Sequence, residues 1–327
     1  MPDGKLIGVI GAGPVGSILS AHLAQAGHQV VLVECGARRY AQLQEHGITV
    51  SGTAEISRQA PIVLPRVEAL ADYQLAYLFI CTKAWSLKTL LPTLVTVITG
   101  VPIVSFQNGI GPEDEIAAVF PAEDVCRGIV NFAGGVNPVD GHVTMHWFNP
   151  PNYIGPLNGG HVPLAELADM MTRAGLKTKV VSSHEIKKEV FYKTILNSAL
   201  NALCASSGIT MRQAMSLPHT RNLAHLLIRE GLSVASAVGY YYGESPMEAC
   251  LRYLNAGGDH LPSMWVDLER GMRTEIEYIN GRIVQIGAMF KNVDVDVNIF
   301  FTSMIVTQEI KSGVRTADDI PEYLAHT

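Results

Sequence analysis

Over the first half of the chain, short runs of apolar residues alternate with stretches of helical patterning. Residues 6–10, 30–34, 77–81 and 102–105 read as strands, and 15–26, 85–98 and 113–120 as helices between them. Strands that are apolar throughout, instead of alternating with polar residues, are expected to be buried on both faces. That is the mark of a parallel sheet covered by helices. Beyond residue 125 the strands become short and turn-rich, at 125–130, 143–146, 153–155 and 179–181, and are expected to extend the same sheet. From Glu185 the pattern changes. Residues 185–205, 217–238 and 276–290 have the three-to-four-residue period of amphipathic helices and few strand signals. The expected class is α/β, with a doubly wound sheet over 1–182 followed by an all-helical domain over 183–327.

The turn after the first strand sharpens this picture. Gly11-Ala12-Gly13-Pro14-Val15-Gly16 follows residues 6–10 directly and opens a helix. In a dinucleotide-binding Rossmann turn the first glycine permits the tight turn and the second admits a pyrophosphate to the backbone. The third lets the helix pack on the strand. The free N–H groups of the helix start then face the phosphates. Glu34 ends the second strand, where a carboxylate can accept the hydroxyl protons of an adenosine ribose. Flavin enzymes share this fingerprint but add a second Gly-Asp segment late in the chain. The nearest candidate here, Gly257-Gly258-Asp259-His260, leads into Leu261-Pro262-Ser263-Met264 and not into a small-residue helix start.

Composition excludes several classes. With 327 residues, 48% apolar and 17% charged, the chain has material for two domains with buried cores. A net charge of -6 without a long basic run gives no footprint for nucleic acid. Five scattered cysteines (Cys35, Cys81, Cys126, Cys204, Cys250) form no Cys-x-x-Cys pair, so neither a disulfide framework nor a metal site is expected. The first apolar run is too short to span a membrane and lacks the features of a signal peptide. The expectation is a soluble, cytoplasmic protein with no membrane partner.

Two features of the C-terminal half carry candidate chemistry. Glu189, Lys193, Asn197 and Asn201 are spaced four apart and form one slowly turning stripe, with Leu196, Leu200 and Leu203 beside it. The stripe is either a solvated face or a binding face, and spacing alone leaves both open. Asn is a mediocre helix former, yet it offers a donor and an acceptor to a hydroxyl or keto oxygen. Further on, residues 263–271 read as a short helix ending at Gly271. Thr274-Glu275-Ile276-Glu277 then has the form of a capping box, with Thr274 as N-cap. In one straight helix Ser263 and Glu275 would be about 18 Å apart. A turn at 271–273 could direct both toward one small ligand.

Together these blocks resemble the ketopantoate reductase family. The blocks that carry the resemblance run in order through nearly the whole chain: the glycine turn, Thr82-Lys83-Ala84-Trp85, Gln107-Asn108-Gly109, the Lys193/Asn197/Asn201 stripe, and Ser263-Met264 through Asp267 to Thr274-Glu275-Ile276-Glu277-Tyr278-Ile279-Asn280-Gly281. The resemblance implies a Rossmann domain, an all-helical C-terminal domain, and NAD(P)H-dependent reduction of a small 2-keto acid. The typical reaction converts 2-dehydropantoate to pantoate on the route to pantothenate and coenzyme A. It implies Lys193 as proton donor with Glu275 beside the chemistry. Asn108, Asn197, Asn201 and Ser263 would contact the substrate. Gly11 to Gly16, Glu34, Lys83, Asn108 and Glu275 would lie around the cofactor.

Two departures matter. The family often has an arginine just after the second strand for the 2′-phosphate of NADPH, whereas this chain has Cys35 there, with Arg38 and Arg39 further on. That favours NADH over NADPH. Residues 292–298 are rich in aspartate where the family often has proline. The competing readings are a reductase of another small 2-keto acid, a β-hydroxyacid dehydrogenase, and a non-catalytic nucleotide sensor. The second lacks the Lys83 and Gln107-Asn108-Gly109 pattern. The third would be favoured by loss of Lys193 or Glu275, and both are present. A homodimer is compatible with the helical domain.

Overall fold

A computed structural model describes residues 4–160, 162–259 and 261–325. The strands, in chain order, are β1 (Leu6–Ile10), β2 (Gln29–Val33), β3 (Ile48–Gly52), β4 (Ile56–Gln59), β5 (Ile62–Leu64), β6 (Tyr77–Ile80), β7 (Ile103–Ser105), β8 (Val125–Ile129), β9 (Phe132–Val136), β10 (Val143–Phe148), β11 (Asn152–Pro156) and β12 (Thr178–Val180). The helices are α1 (Pro14–Gln25), α2 (Ala37–His46), α3 (Leu87–Val97), α4 (Pro112–Ala117), α5 (Leu164–Arg173), α6 (Ser183–Ser207), α7 (Met211–Ser216), α8 (Pro218–Ala237), α9 (Pro246–Asn255), α10 (Ser263–Glu269), α11 (Asn280–Gly287), α12 (Asp296–Lys311) and α13 (Glu322–Ala325).

The chain forms two compact units, Met1–Gln107 with Pro112–Lys187, and Asn108–Gly111 with Lys188–Thr327. In the first, an eight-stranded sheet runs β12-β11-β8-β7-β6-β1-β2-β5. From β8 to β5 every neighbour is parallel, and β11 is antiparallel to β8. The apolar runs are buried on both faces, as their lack of alternation predicts. Ile7, Val9, Leu32, Tyr77 and Phe79 point into one core, and Ile10, Val31, Val33, Leu78 and Ile80 into the other. Chain order reverses between β1 and β6: from β1 it proceeds to β2 and β5 on one side, and from β6 to β7 and β8 on the other. In open α/β sheets the carboxyl ends at such a switch point bind ligands.

One sequence expectation is corrected here. Residues 143–146 do not extend this sheet. They lie in β10 of a separate four-stranded sheet, β4-β3-β10-β9. The cause is long-range pairing: Val143, Thr144 and Met145 take Val50, Ser51 and Gly52 of β3 as parallel partners. Ile48, Val50, Ile56 and Met145 then bury against the same core as α1.

The second unit is helical around one core drawn from α6, α8, α11 and α12. The division falls inside α6, at Lys187–Lys188. The first turn of α6 stays with the sheet unit, where the Ser183 hydroxyl donates to Leu157 O at 2.6 Å. The aspartate-rich segment has a structural role. It leads into α12, and the buried Glu230 carboxylate of α8 accepts Val297 N–H and Asn298 N–H, both at 2.9 Å, and the Asn298 amide at 2.7 Å. A carboxylate from another helix thus satisfies orphan donors at the start of α12. Asn280 extends the network, donating to Asn298 Oδ1 and to Ser198 O in α6, each at 3.1 Å.

No helix among the described residues is long and apolar enough to cross a membrane. No group of three or more His, Cys, Asp or Glu among them is placed to hold a metal ion. All five cysteines are free; Cys126, Cys204 and Cys250 are buried.

Candidate active site

The glycine turn sits at the carboxyl end of β1, at the switch point. Gly11 takes φ +98°, a backbone state that side chains rarely adopt, and a Cβ there would press on Thr82, just after β6. At Gly16 a Cβ would collide with the carbonyl oxygen of Gly11, so α1 packs this closely only with glycine. Gly13 differs from both. It has ordinary extended backbone (φ -66°, ψ -175°) and open space where its Cβ would be. As N-cap of the twelve-residue α1 it makes no side-chain cap. An open cradle of backbone N–H groups at a helix N-terminus fits the pyrophosphate of a dinucleotide.

Glu34 lies just beyond β2 and turns toward this loop. Its carboxylate accepts Ala12 N–H at 3.1 Å and Gly36 N–H at 2.7 Å. Arg39 is committed inward, donating to Ala12 O at 3.2 Å, Gly141 O at 2.7 Å and Ser17 Oγ at 3.0 Å. Burial pushes the Cys35 thiol up from its ordinary value, and Glu34 and Glu68 add to the effect. Cys35 therefore carries no charge at neutral pH. Arg38 is exposed.

Thr82 and Lys83 follow β6. Their turn is tied to the next strand by Gln107, whose amide donates to Thr82 Oγ1 and Lys83 O, each at 3.3 Å. Gln107 Oε1 in turn accepts the Ser105 hydroxyl at 3.1 Å, and buried Arg127 donates to Ser105 Oγ at 3.0 Å. Arg127 is paired with buried Glu113 at 3.3 Å. This chain of polar contacts runs from the turn after β6 across the end of β7 to the middle of β8.

In the helical unit, α6 carries the polar stripe. Lys193 and Asn197 are half-buried, and Asn201 is only 8% exposed. The stripe therefore runs from a partly open end into a buried one and is not a plain solvated face. Neither Asn197 nor Asn201 makes a side-chain hydrogen bond to another described residue. In the same unit Asn108 donates from Nδ2 to Glu275 Oε2 at 3.3 Å, and Ile110 N–H donates to Tyr278 O at 2.9 Å. Glu275 is 3% exposed. Ser263 is exposed at the first position of α10, which ends before Gly271 as expected.

The capping box expected at Thr274 does not form. Regular helix begins only at Asn280, after a bend at Glu275 and turns over 276–279. Buried Glu309 accepts both Thr274 N–H and Thr274 Oγ1–H at 2.7 Å. Glu277 cannot reach back to Thr274 because it is held by Arg273 and Arg315. The Gly-Asp segment considered for a flavin is tied up by Arg212, which pairs with Asp259 at 2.8 Å. His260 lies outside the described residues.

A sequence profile described as "Ketopantoate reductase PanE/ApbA" matches residues 7–159, and its C-terminal counterpart matches 185–309. The chain belongs to the ketopantoate reductase family. A 2-dehydropantoate 2-reductase of Archaeoglobus fulgidus is 28% identical over 308 residues, covering 94% of this chain and 98% of that protein. One of Pyrobaculum aerophilum is 29% identical, with 86% and 90% covered. Among solved structures, a ketopantoate reductase family member from Ralstonia eutropha has TM-score 0.83 at 23% identity, covering 94% of this chain and 99% of that one. A D-mandelate dehydrogenase solved with NADH and anilino(oxo)acetate has TM-score 0.85 at 23% identity, covering 95% and 100%.

Within this ketopantoate reductase architecture, the residues that sequence reading missed are buried and charged. Arg127 stands in the otherwise uncharged strand Val125–Ile129, and a lone arginine in such a strand was the available signal. Glu309 and Arg315 had no comparable local mark. Arg315 also lies beyond the matched stretch.

Proposed function

We propose that the chain reduces 2-dehydropantoate to pantoate with NAD(P)H, with Lys193 as the proton donor. The carrying observation is the α6 stripe: an ammonium followed at four-residue steps by two amides that make no side-chain hydrogen bond to described residues, the last of them buried. Family membership and the open glycine cradle support the same reading. A panel of 2-keto acids including 2-dehydropantoate, assayed with NADH and NADPH at the reduced nicotinamide absorbance band, tests it. Turnover of another 2-keto acid in preference would move the substrate and leave the residue roles in place. A biosynthetic reductase of this kind belongs in the cytoplasm.

The glycine turn, Glu34 and Lys83 would hold the dinucleotide. Bound there, the reduced nicotinamide supplies a hydride to the keto carbon. As that carbon becomes tetrahedral its oxygen gains alkoxide charge. Lys193 stabilises the charge and transfers a proton to the oxygen, completing the alcohol. Asn197 and Asn201 orient the substrate's oxygens by donating and accepting hydrogen bonds. Ser263 binds its carboxylate. Asn108 holds Glu275, which in this reading would act beside the reacting groups.

Ser263→Ala should raise KM for the keto acid several-fold and change kcat less. A hydrogen bond to a charged group contributes roughly 1.5–3 kcal/mol, and one made equally in ground and transition states acts on KM. A large fall in kcat at unchanged KM contradicts the assignment.

NADH is the preferred cofactor in this reading. A 2′-phosphate placed beside Glu34 meets like charge, Cys35 replaces the usual arginine, and Arg39 is spent on Ala12, Ser17 and Gly141. Steady-state kinetics should give a higher kcat/KM with NADH. Glu34→Ala should shift the ratio toward NADPH by about tenfold, the equivalent of roughly 1.4 kcal/mol of relieved repulsion. An unmoved ratio means that Glu34 does not face the ribose.

A further inference from the structure

Glu275 sits in a stretch with little regular structure to hold it, yet its neighbours are fixed one by one. Thr274 gives both its N–H and its hydroxyl to Glu309 Oε1 at 2.7 Å. The other oxygen of Glu309 takes Arg315 Nε at 2.7 Å. Arg315 reaches on to Glu277 Oε2 at 2.8 Å, where Arg273 also binds at 2.7 Å. Asp319 closes the ring, taking Arg273 Nη1 at 2.6 Å on its carboxylate and Arg315 Nη1 at 2.7 Å on its carbonyl. The residues two before, one before and two after Glu275 are therefore all anchored to α12 or to the segment that follows it.

Glu309 and the Arg315 side chain are fully buried. Desolvating charges costs several kcal/mol per ion, and buried ion pairs often add nothing to stability over apolar packing of the same volume. The contacts also converge on the turn that carries Glu275. Precise placement of a reacting group, by contrast, changes rates steeply with small displacements.

We propose that Glu309 and Arg315 form a clamp that positions Glu275, so that Glu309 is a positioning residue for the reduction. This rests on the role given to Glu275 above. The clamp acts through Thr274: it replaces the helix cap that the sequence pattern suggests and holds the Glu275 turn outside regular helix, with its carboxylate meeting Asn108.

The test combines activity and stability in two backgrounds. Thr274→Val, Thr274→Ser and Glu309→Gln are made alone and together with Glu275→Gln, and kcat, KM and Tm are measured for each. Thr274→Val keeps the side-chain volume and leaves the Glu309–Arg315 pair intact, so it carries the test if Glu309→Gln does not fold. The expected result is a fall in kcat/KM of about tenfold or more for Thr274→Val and Glu309→Gln, with most of the loss restored in Thr274→Ser. In the Glu275→Gln background that loss should vanish, while Tm falls by the same amount in both. Equal fractional losses in both backgrounds, or full activity of Thr274→Val, overturn the clamp while leaving the role of Glu275 standing. Normal turnover of Glu275→Gln by itself overturns that role and the clamp with it.

Discussion

Lys193→Ala should lower kcat by two to four orders of magnitude, about 2.7–5.4 kcal/mol in the barrier, while the dinucleotide still binds. Reduction of a ketone places negative charge on an oxygen that starts neutral. A group that meets this oxygen with a transferable proton acts mainly in the transition state, so its loss appears in kcat more than in KM. Lys193 is half-buried on α6, four residues before Asn197, so a substrate oxygen that Asn197 would orient falls on the same stretch of helix surface. Alanine is the best helix former, so the substitution should not unwind α6. The check is kcat at saturating keto acid together with a titration of the reduced dinucleotide by fluorescence. Near-normal turnover would reduce Lys193 to a surface cation and leave the stripe without a proton donor.

What the sequence made legible was local in period. The strands 6–10, 30–34 and 77–81 declare their double burial because every position in them but the terminal Glu34 is apolar, and α6 declares its stripe through the four-residue spacing. The glycine turn is legible because its three glycines do different steric work within six residues. The second sheet was not, because its identity lies in pairing: β10 is a plausible strand from its own residues, but only its register with β3, some ninety positions earlier in the chain, removes it from the main sheet. The capping box failed for the same kind of reason. Thr274 and Glu277 have the right spacing, but a carboxylate thirty-five residues later takes the Thr274 N–H that the Glu277 side chain would have accepted. Arg39 shows the point within the cofactor region. Its place near the second strand suggests a phosphate ligand, and only the fold shows its three nitrogens turned inward to Ala12, Ser17 and Gly141.

Gly13→Ala should weaken dinucleotide binding by about 10- to 100-fold, roughly 1.4–2.7 kcal/mol, and leave Tm nearly unchanged. The separation follows from the geometry. Gly13 has extended backbone that alanine adopts without strain, and its added Cβ meets nothing within 4 Å in the protein. The fold therefore has no steric reason to object. A methyl at this point intrudes only on a group that must approach the backbone closely, as a pyrophosphate does at the start of a Rossmann helix. Gly16→Ala is the internal contrast. Its Cβ would collide with the Gly11 carbonyl, so the turn and α1 must separate, and both Tm and affinity should fall. Calorimetric titration of each variant with NADH, beside thermal unfolding, distinguishes the two. Wild-type affinity in Gly13→Ala would mean that no phosphate passes over this turn, and the cofactor site would have to lie elsewhere along the carboxyl ends of the sheet.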